Sequence, residues 1–579
     1  MKPNSKRTLP SEEDGASRFT HHLLLVCIVL VAGVLRWWGS WFGLPHTECR
    51  PDETIFVQLV WRFGSGDLHP HQFDHPTLYP YLLFGMHGLY FLTRLLSGRF
   101  TGTADFINEI ARDPSVSYFL ARFISVLLGT ATVLVVYALG RRLSHHGKGI
   151  AWLASLFLAL AYLHVRDSHF GKDDVALAFF LTGALLYVLK SADDQQLRSY
   201  ALAGVFAGLA TATKYLGIVV IPLFYLARWF NVGRPLTPRI LLDVRPLAAL
   251  AALLLAFVVG VPYALLDYRK FFSDVFGQMR HQGPAGFSGD GWWFHPAVSL
   301  WYGMGWSLFL ASLGGIVLLL KRREEQGLLL CAFVAVYYAA IGPWEKTFVR
   351  YAIPLIPALC TTAAVWIVWA SEQLGRLIPR PLRRALPAAL ALVVIAPSAT
   401  RAIQCNVLLA REDNRLVVAR WITEHVPPGS SICQVGTRPG KLQLPQTLEA
   451  MEHDYAWAKE RGRGVLAKVR FERQKTQGIQ GYQESPYSGP GQALPDYFLV
   501  QRYPLNRFAL AQIPSELPGM LEESYALVKS FEVLPMNDSR YVFDDNDGFY
   551  LPFAGFWNVQ RAGPNFYLYE HRSHVPQGR

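Results

Sequence analysis

Cys49-Arg50-Pro51-Asp52-Glu53 sets two adjacent carboxylates directly behind a proline, just past an apolar run from His21 to Leu44. That run is long enough to span a bilayer and lacks the small-residue cleavage site of a removed signal, so it reads as a retained helix. The acidic pair therefore falls on a loop at a membrane surface. Composition agrees: of 579 residues, 51% are hydrophobic and 17% charged, too poor in charge for an ordinary soluble protein and typical of a polytopic membrane one. A formal net charge of +12 would suggest a nucleic-acid partner in a soluble chain. Here the basic residues sit in short clusters between apolar spans, as cytoplasmic loops do, and no nucleic-acid-binding signature accompanies them.

Working outward, residues 1–20 read as a disordered cytoplasmic tail, with Lys2, Lys6, Arg7 and Arg18 marking the inner side. Residues 45–114 form a first outer loop. Its apolar stretch from Pro76 to Leu96 carries His87 and Arg94 and is rich in Gly and Tyr, so it reads as a helix lying on or dipping into the membrane. That reading places Arg141, Arg142 and Lys148 inside after the span Ser115–Leu139; a spanning stretch would put them outside. Further spans are expected at 149–166, 175–190, 200–213, 215–229, 246–262, from 298 to Lys321, and at 327–341, 351–370 and 385–401. The total is about eleven, with the N-terminus inside and every strong basic cluster on one side. Residues 402–579 are different in kind: polar, with helical patterns at Asn414–His425 and Leu448–Gln474 and β-rich runs at Tyr497–Gln501 and Phe566–Tyr569. The expected fold is a polytopic α-helical membrane domain, 21–401, with a C-terminal soluble α/β domain, 402–579, on the outer face. Of the six cysteines, Cys49, Cys405 and Cys433 should face outside; their spacing leaves a disulfide and free thiols equally open.

Four polar loops fall on that outer side: Arg50–Glu53; Asp167-Ser168-His169-Phe170-Gly171-Lys172-Asp173-Asp174; the loop 263–297 with Tyr268, Arg269, Lys270, Arg280, His281 and His295; and Trp344–Tyr351, with Glu345, Lys346 and Arg350. Acids and bases grouped on one face can hold a substrate bearing both a hydroxyl and a phosphate. A carboxylate such as Asp52 can take a proton from an attacking hydroxyl, and Arg and Lys can stabilise a departing phosphate. Any single charge at a helix end is more often solvated or paired; the grouping is what points to chemistry. His69, His71 and His75 beside Asp74 have a loose spacing that matches no strong metal pattern, and a polar turn anchoring an interfacial helix is the plainer reading. His145-His146 lie on the cytoplasmic side. Trp292-Trp293 read as an interfacial aromatic belt or as a platform for a sugar ring.

The order of motifs resembles the integral-membrane glycosyltransferases of the GT-C fold, within them the protein O-mannosyltransferase and aminoarabinose lipid A transferase group (glycosyltransferase family 39 and relatives). Pro51-Asp52-Glu53 is similar to the Asp-Glu motif of that group's first outer loop. Gly66-Asp67-Leu68 followed by His75-Pro76-Thr77-Leu78-Tyr79 resembles its GD…(H/K)PP(L)Y segment, with Thr77 in place of the second proline. Ser168–Asp174 running into Leu177-Ala178-Phe179-Phe180 resembles its SR.A..D.PL.FF segment, with His169 where arginine is usual and either Asp173 or Asp174 as the working acid. Gly208–Lys214 resembles GLA..TK, and Arg350–Pro357 resembles RY.LPL.P.

The resemblance implies an inverting transfer of a sugar from a polyprenyl-phosphate carrier to an acceptor hydroxyl at the outer membrane face. Asp52 would be the general base. Glu53 and Asp174 would position the acceptor or the donor head group. Lys214 and Arg350 would face the carrier phosphate, with His75, His169, Lys172, Asp173 and Tyr351 around the substrate. It implies no cofactor and no metal. Sugar nucleotides are cytoplasmic, so an outer-face enzyme needs a donor that crosses the membrane. Sugar and acceptor stay open among lipid A, protein Ser/Thr and envelope glycan. The competing readings are a transporter or flippase, which would need mid-span ionisable residues and inverted repeats that the sequence lacks, a lipid-linked O-antigen ligase, and a non-catalytic scaffold, which would not need acids and bases gathered on one face.

Overall fold

The computed structural model describes residues 12–143, 149–233, 238–282, 290–460, 464–478, 480–485, 489, 494–504, 513–544 and 546–574. Lys2, Lys6, Arg7, His145, His146 and Lys148 lie outside them, as do the side chains of Arg18, Arg280 and His281.

Each expected span is largely helical, the first as far as Trp37. Among the described residues, Ser115–Arg142, Asp173–Asp194, Leu355–Gly375 and the run starting at Leu386 are long and apolar enough to cross a bilayer, and Gly291–Gly303 with Trp306–Arg322 pass together as a pair bent by 117°. Five shorter apolar helices accompany them: His22–Trp37, Gly149–Leu160, Tyr215–Asn231, Val244–Gly260 and Glu325–Ile341. A 17-residue helix is about 25 Å long, short of the roughly 30 Å hydrocarbon thickness, so length alone does not reproduce the count of eleven. Leu127, Leu134, Leu254, Leu255, Val259, Leu310, Val317, Leu392 and Val393 stand exposed on these helices. A surface that apolar is not sustained in water and marks a membrane protein.

The stretch 45–114, expected as a first outer loop, is itself helical, at Pro51–Phe63, Leu78–Leu96 and Thr103–Arg112. The expected span 149–166 is instead two helices, Gly149–Leu160 and Tyr162–Asp167. After 263 the described residues are helical at Tyr263–Leu266, Tyr268–Gln282 and Gly291–Phe294, and then turn through a π segment His295–Leu300. The chain then bends at Gly305, whose φ of +80° only glycine adopts easily. All six cysteines are free.

One close helix contact is built from small residues. Gly204 and Gly208 share one face of the helix Leu197–Thr213. A Cβ on them would lie 2.0 Å from the Ala249 carbonyl oxygen and 2.3 Å from that of Leu253. The backbones of 197–213 and Val244–Gly260 therefore touch, the small-xxx-small solution to packing where lipid offers no hydrophobic drive.

The C-terminal part forms a five-stranded sheet in the order β2-β1-β3-β5-β4, with β1 Ser431–Val435, β2 Gln483–Glu484, β3 Tyr497–Arg502, β4 Tyr525–Phe531 and β5 Asn565–His571. β1 runs parallel to β2 and β3, and β5 antiparallel to β3 and β4. β3 is buried on both faces: Tyr497 and Leu499 pack with Val418 and Ile422 of the helix Asn414–His425, while Phe498 and Val500 pack with Leu517 and Leu521. The helical pattern at 448–474 resolves into two helices, Leu448–Glu460 and Gly464–Gln477. Between β4 and β5 the chain leaves the sheet. Val533, Leu534, Tyr541, Phe549, Leu551 and Phe553 join the same core as Phe42, Phe170 and Met304 of the helical domain.

The close approach gives a direct expectation. Gly204→Leu forces the two helices apart and should cost about 2–3 kcal/mol, read as a lower melting temperature in detergent. Gly85→Leu, on a face with nothing within 4 Å, should melt like the native chain.

Candidate active site

The polar loops converge because each sits where a helix begins or ends. Pro51 opens the helix Pro51–Phe63, so Asp52 and Glu53 occupy its first turn, where the missing proline N–H costs nothing and the dipole favours anions. Asp173 and Asp174 occupy the first turn of Asp173–Asp194, with Lys172 as its N-cap. Lys214 ends the helix Leu197–Thr213. Arg350 and Tyr351 lie in a 3₁₀ turn, Val349–Ala352, ahead of Pro354.

Together they make a lattice of alternating charge. Asp52 Oδ2 is held by Lys172 Nζ and lies 3.3 Å from Arg350 Nη2. Asp174 Oδ1 accepts from Lys214 Nζ at 2.5 Å, while its Oδ2 lies 3.6 Å from Arg350 Nε. His75 Nδ1 is 3.5 Å from Asp173 Oδ2. The Lys214 ammonium sits 5.0 Å above the Tyr351 ring, and the Arg350 guanidinium stacks 3.8 Å from the Phe348 ring. Of these acids Asp52 is the most exposed, at 35% side-chain exposure against 5% for Asp174 and 1% for Asp173. Lys172, then Arg350, hold the Asp52 carboxyl well below the usual carboxylate range against the opposing effect of burial. Burial and the neighbouring Arg350 press Lys172 down. Burial opposes the charge on Lys214, but Asp174 and Asp173 outweigh it and raise its pKa. Both Asp173 oxygens, Asp174 Oδ2 and Arg350 Nε and Nη1 are buried without a hydrogen-bond partner among the described residues, a pattern that invites a ligand.

The sheet domain supplies the other side. Asp547 is paired with Arg50 and lies 3.5 Å from Arg350 Nη1 and 4.0 Å from Arg166 Nη2. Asp544 Oδ2 accepts from the Val349 backbone N–H at 2.9 Å, and Asn546 donates to the Thr347 carbonyl at 2.8 Å. Burial opposes the charge on Asp547, yet Arg50 and Arg350 outweigh it and hold its carboxyl below the ordinary value. Burial, and then Asp547, push Asp544 up to about 7. Arg50 and Arg166 stack on Phe170 and Phe549. The sequence reading passed over Arg50, Arg166, Asp544 and Asp547 as site residues; the acids sit in Phe543-Asp544-Asp545-Asn546-Asp547-Gly548, which reads locally as a solvated turn.

Two expected residues lie apart. Glu53 is fully buried and faces away from the opening. Arg122 Nη2 and Nε donate to it at 2.7 and 2.9 Å and the Gly171 N–H at 2.7 Å, while Arg122 also donates to the Ser40 and Phe42 carbonyls. It ties the Asp52 helix to the 115–142 helix and to the loop of Lys172, and so positions the site without lining it. His169 is fully buried, its Nε2 2.9 Å from the Trp38 carbonyl and its Nδ1 2.9 Å from that of Val165. Of the histidines weighed as metal ligands, His69 and His71 lie with ring centroids 4.5 Å apart, His71 pairing with Asp67 at 2.6 Å and His69 with Asp267 at 3.3 Å, while His75 stands apart beside Asp173.

A family model described as dolichyl-phosphate-mannose-protein mannosyltransferase matches residues 104–264, the stretch that carries Arg122, Arg166, Lys172, Asp174 and Lys214. The chain is similar there to the family that its motif order resembles. No curated protein sequence matches the chain significantly. Similar solved structures include the apo oligosaccharyltransferase of Archaeoglobus fulgidus, at 15% identity and TM-score 0.47 over 71% of this chain and 62% of that one. ArnT from Cupriavidus metallidurans, bound to undecaprenyl phosphate, aligns at 16% identity and TM-score 0.46 over 88% and 96%. The S. cerevisiae Pmt1-Pmt2 complex bound to the sugar donor aligns at 23% identity and TM-score 0.29 over 45% and 34%. The chain thus spans 62% of the length of the archaeal enzyme.

Two outcomes are expected from this geometry. Glu53→Gln leaves Arg122 buried without its counter-charge, a loss of about 3–5 kcal/mol, and should lower the melting temperature well beyond Asp52→Asn at the partly open end. Asp544 gives a pH signature. Its unfolded form sheds the proton near the ordinary carboxylate value, while the folded form keeps it up to about 7, so folding is penalised increasingly as pH rises through that window. Asp544→Asn should therefore melt higher than the native chain above pH 7, with the difference vanishing as the pH falls to the ordinary carboxylate range.

Proposed function

We propose that the protein is a membrane glycosyltransferase that moves a hexosyl or pentosyl unit from a polyprenyl-phosphate carrier to an acceptor hydroxyl on a protein, lipid A or envelope glycan, with inversion. Its site faces the outer side of the cytoplasmic membrane, with the N-terminus inside and the sheet domain outside, a placement that the one-sided basic clusters support. One observation carries the reading. A single ionised carboxylate, Asp52, is open to a ligand while lysine and arginine side chains stand within bonding reach of it. A hydroxyl nucleophile and a phosphate leaving group need that combination.

Asp52 accepts the proton of the acceptor hydroxyl as its oxygen bonds to the anomeric carbon. The bond from that carbon to the phosphate oxygen breaks, and the electron pair leaves with polyprenyl phosphate. Lys172, Lys214 and Arg350 stabilise the charge that develops there. Asp174 holds Lys214 and Arg350 in place, and Asp173 orients His75.

The isoprenoid chain has a matching recess. An apolar cavity of about 640 Å³ is lined by Leu300, Phe309, Ile316, Leu328, Leu355 and Leu359, among others. Leu355 lies five residues beyond Arg350, so a phosphate at the guanidinium can be continuous with a chain in the recess. A burial of that kind is worth about 25 cal/mol per Å² of apolar surface.

The test is sugar transfer by the purified chain in nanodiscs, supplied with labelled polyprenyl-phosphate sugars and an acceptor mixture. Acceptor-dependent release of polyprenyl phosphate is expected, falling about 10²–10⁴-fold in Asp52→Asn. A folded protein that turns over no donor, or an Asp52→Asn variant with native activity, would overturn the reading.

A further inference from the structure

A second cavity, of about 630 Å³, opens between the first outer loop and the sheet domain. Its wall includes Pro45–Glu48, Arg112 and Pro114 on one side, and β1, β2 and the loop after β1 on the other. It is polar where the isoprenoid recess is apolar: Gln434, Gln443, Gln446 and Gln483 line it, the amide of Gln434 paired with the Leu442 backbone and that of Gln443 with Thr47. Most of its charges cancel in pairs, Arg438 with Glu48 and Lys441 with Glu484, each at 2.9 Å. Arg112 and Arg470 do not. They stand on adjacent helices, joined where Arg470 Nε donates to the Ala111 carbonyl at 3.3 Å, and among the described residues neither has a carboxylate partner. Two like charges gathered on one wall repel unless something anionic enters.

We infer that this cavity binds the acceptor, and that the part it takes is a sugar bearing a phosphate or carboxylate. The guanidinium fork matches either anion bidentately, and amides pair with the donors and acceptors of sugar hydroxyls. This deepens the transfer reading above and rests on it for the word acceptor. Position supports it. Glu48 lines the cavity and Asp52 follows four residues later, at most about 14 Å along the chain. The helix Thr103–Arg112 packs Phe106 against Phe91 at 5.9 Å and buries Ile110 while leaving Arg112 exposed. It is an amphipathic element of the kind that lies at a membrane boundary, within reach of anchored and free sugar acids alike.

The site can be tested without turnover. Binding of glucose 1-phosphate to the full chain in phosphatidylcholine nanodiscs is followed by saturation-transfer NMR, with glucose as the neutral control. Glucose 1-phosphate should bind and glucose should bind far more weakly. Arg112→Ala with Arg470→Ala should weaken binding about tenfold or more, as expected for lost charge-assisted contacts. Gln483→Trp, which fills the cavity from β2, should abolish binding, whereas Asp52→Asn should preserve it; melting curves verify that each variant is folded. Displacement of the probe by phosphatidylinositol in the disc assigns the anion to a lipid headgroup, and no displacement assigns it to a soluble acceptor. Equal binding of glucose, or binding unchanged in both cavity variants, overturns the inference. Glucose 1-phosphate binding in a chain that transfers no sugar would keep the site and remove the reaction; transfer without it would do the reverse.

Discussion

Arg350 is the side chain around which the polar site closes. Its three guanidinium nitrogens face Asp52, Asp174 and Asp547 at 3.3, 3.6 and 3.5 Å. Those carboxylates come from the start of the helix Pro51–Phe63, the start of the helix Asp173–Asp194 and the segment between β4 and β5, and each would repel the others. A guanidinium is always charged and planar, with donors along several edges, so it can serve all three where an ammonium could not. Lys172, Lys214 and Arg50 fill the remaining gaps. The lattice in turn rests on a pair that never meets the opening, Glu53 with Arg122, which fixes the Asp52 helix against the membrane helix behind it.

Much of this was legible because the site lies at helix boundaries, and boundaries have sequence marks. Pro51 announces the turn that presents Asp52. The apolar run ending at Thr213 places Lys214, and Pro354 bounds the turn of Arg350. The resemblance gives Glu53 a positioning role at the substrate, yet successive helical residues differ by about 100°, and this neighbour of the more exposed acid is buried against Arg122. His169, placed around the substrate by the same resemblance, is buried on backbone carbonyls because its loop winds directly onto a buried helix. Asp544 and Asp547 carry no local mark at all. Their burial depends on cations at positions 50, 166 and 350, a long-range fact that no window of the sequence contains.

The membrane helices show a similar limit. Apolar runs located them, but their ends depend on special residues. Gly305 turns one expected span into a helix pair bent by 117°, and Ala161 parts two helices where one was expected. The Gly204 and Gly208 face looks unremarkable in composition, yet it allows two backbones to touch. Packing of that kind decides which short helices sit deep in the bundle, and it is set by partners far along the chain.

On the proposed reading, the resting site is a poor base by construction. Lys172 and Arg350 lie against Asp52 and hold its proton affinity down, so an idle enzyme has little power to activate water. A donor phosphate draws on the same two cations. As it engages them, the stabilisation they lend to the Asp52 anion is shared, and the proton affinity of Asp52 rises toward that of an ordinary carboxylate. The base then gains strength only when a sugar is in place to be attacked. Burial sharpens the effect, because charges in a partly desolvated lattice feel one another more strongly than in water. Asp547 limits how far Arg350 can follow the phosphate, since the guanidinium is also held from the sheet-domain side. The coupling between donor arrival and base strength therefore depends on the outer domain being docked.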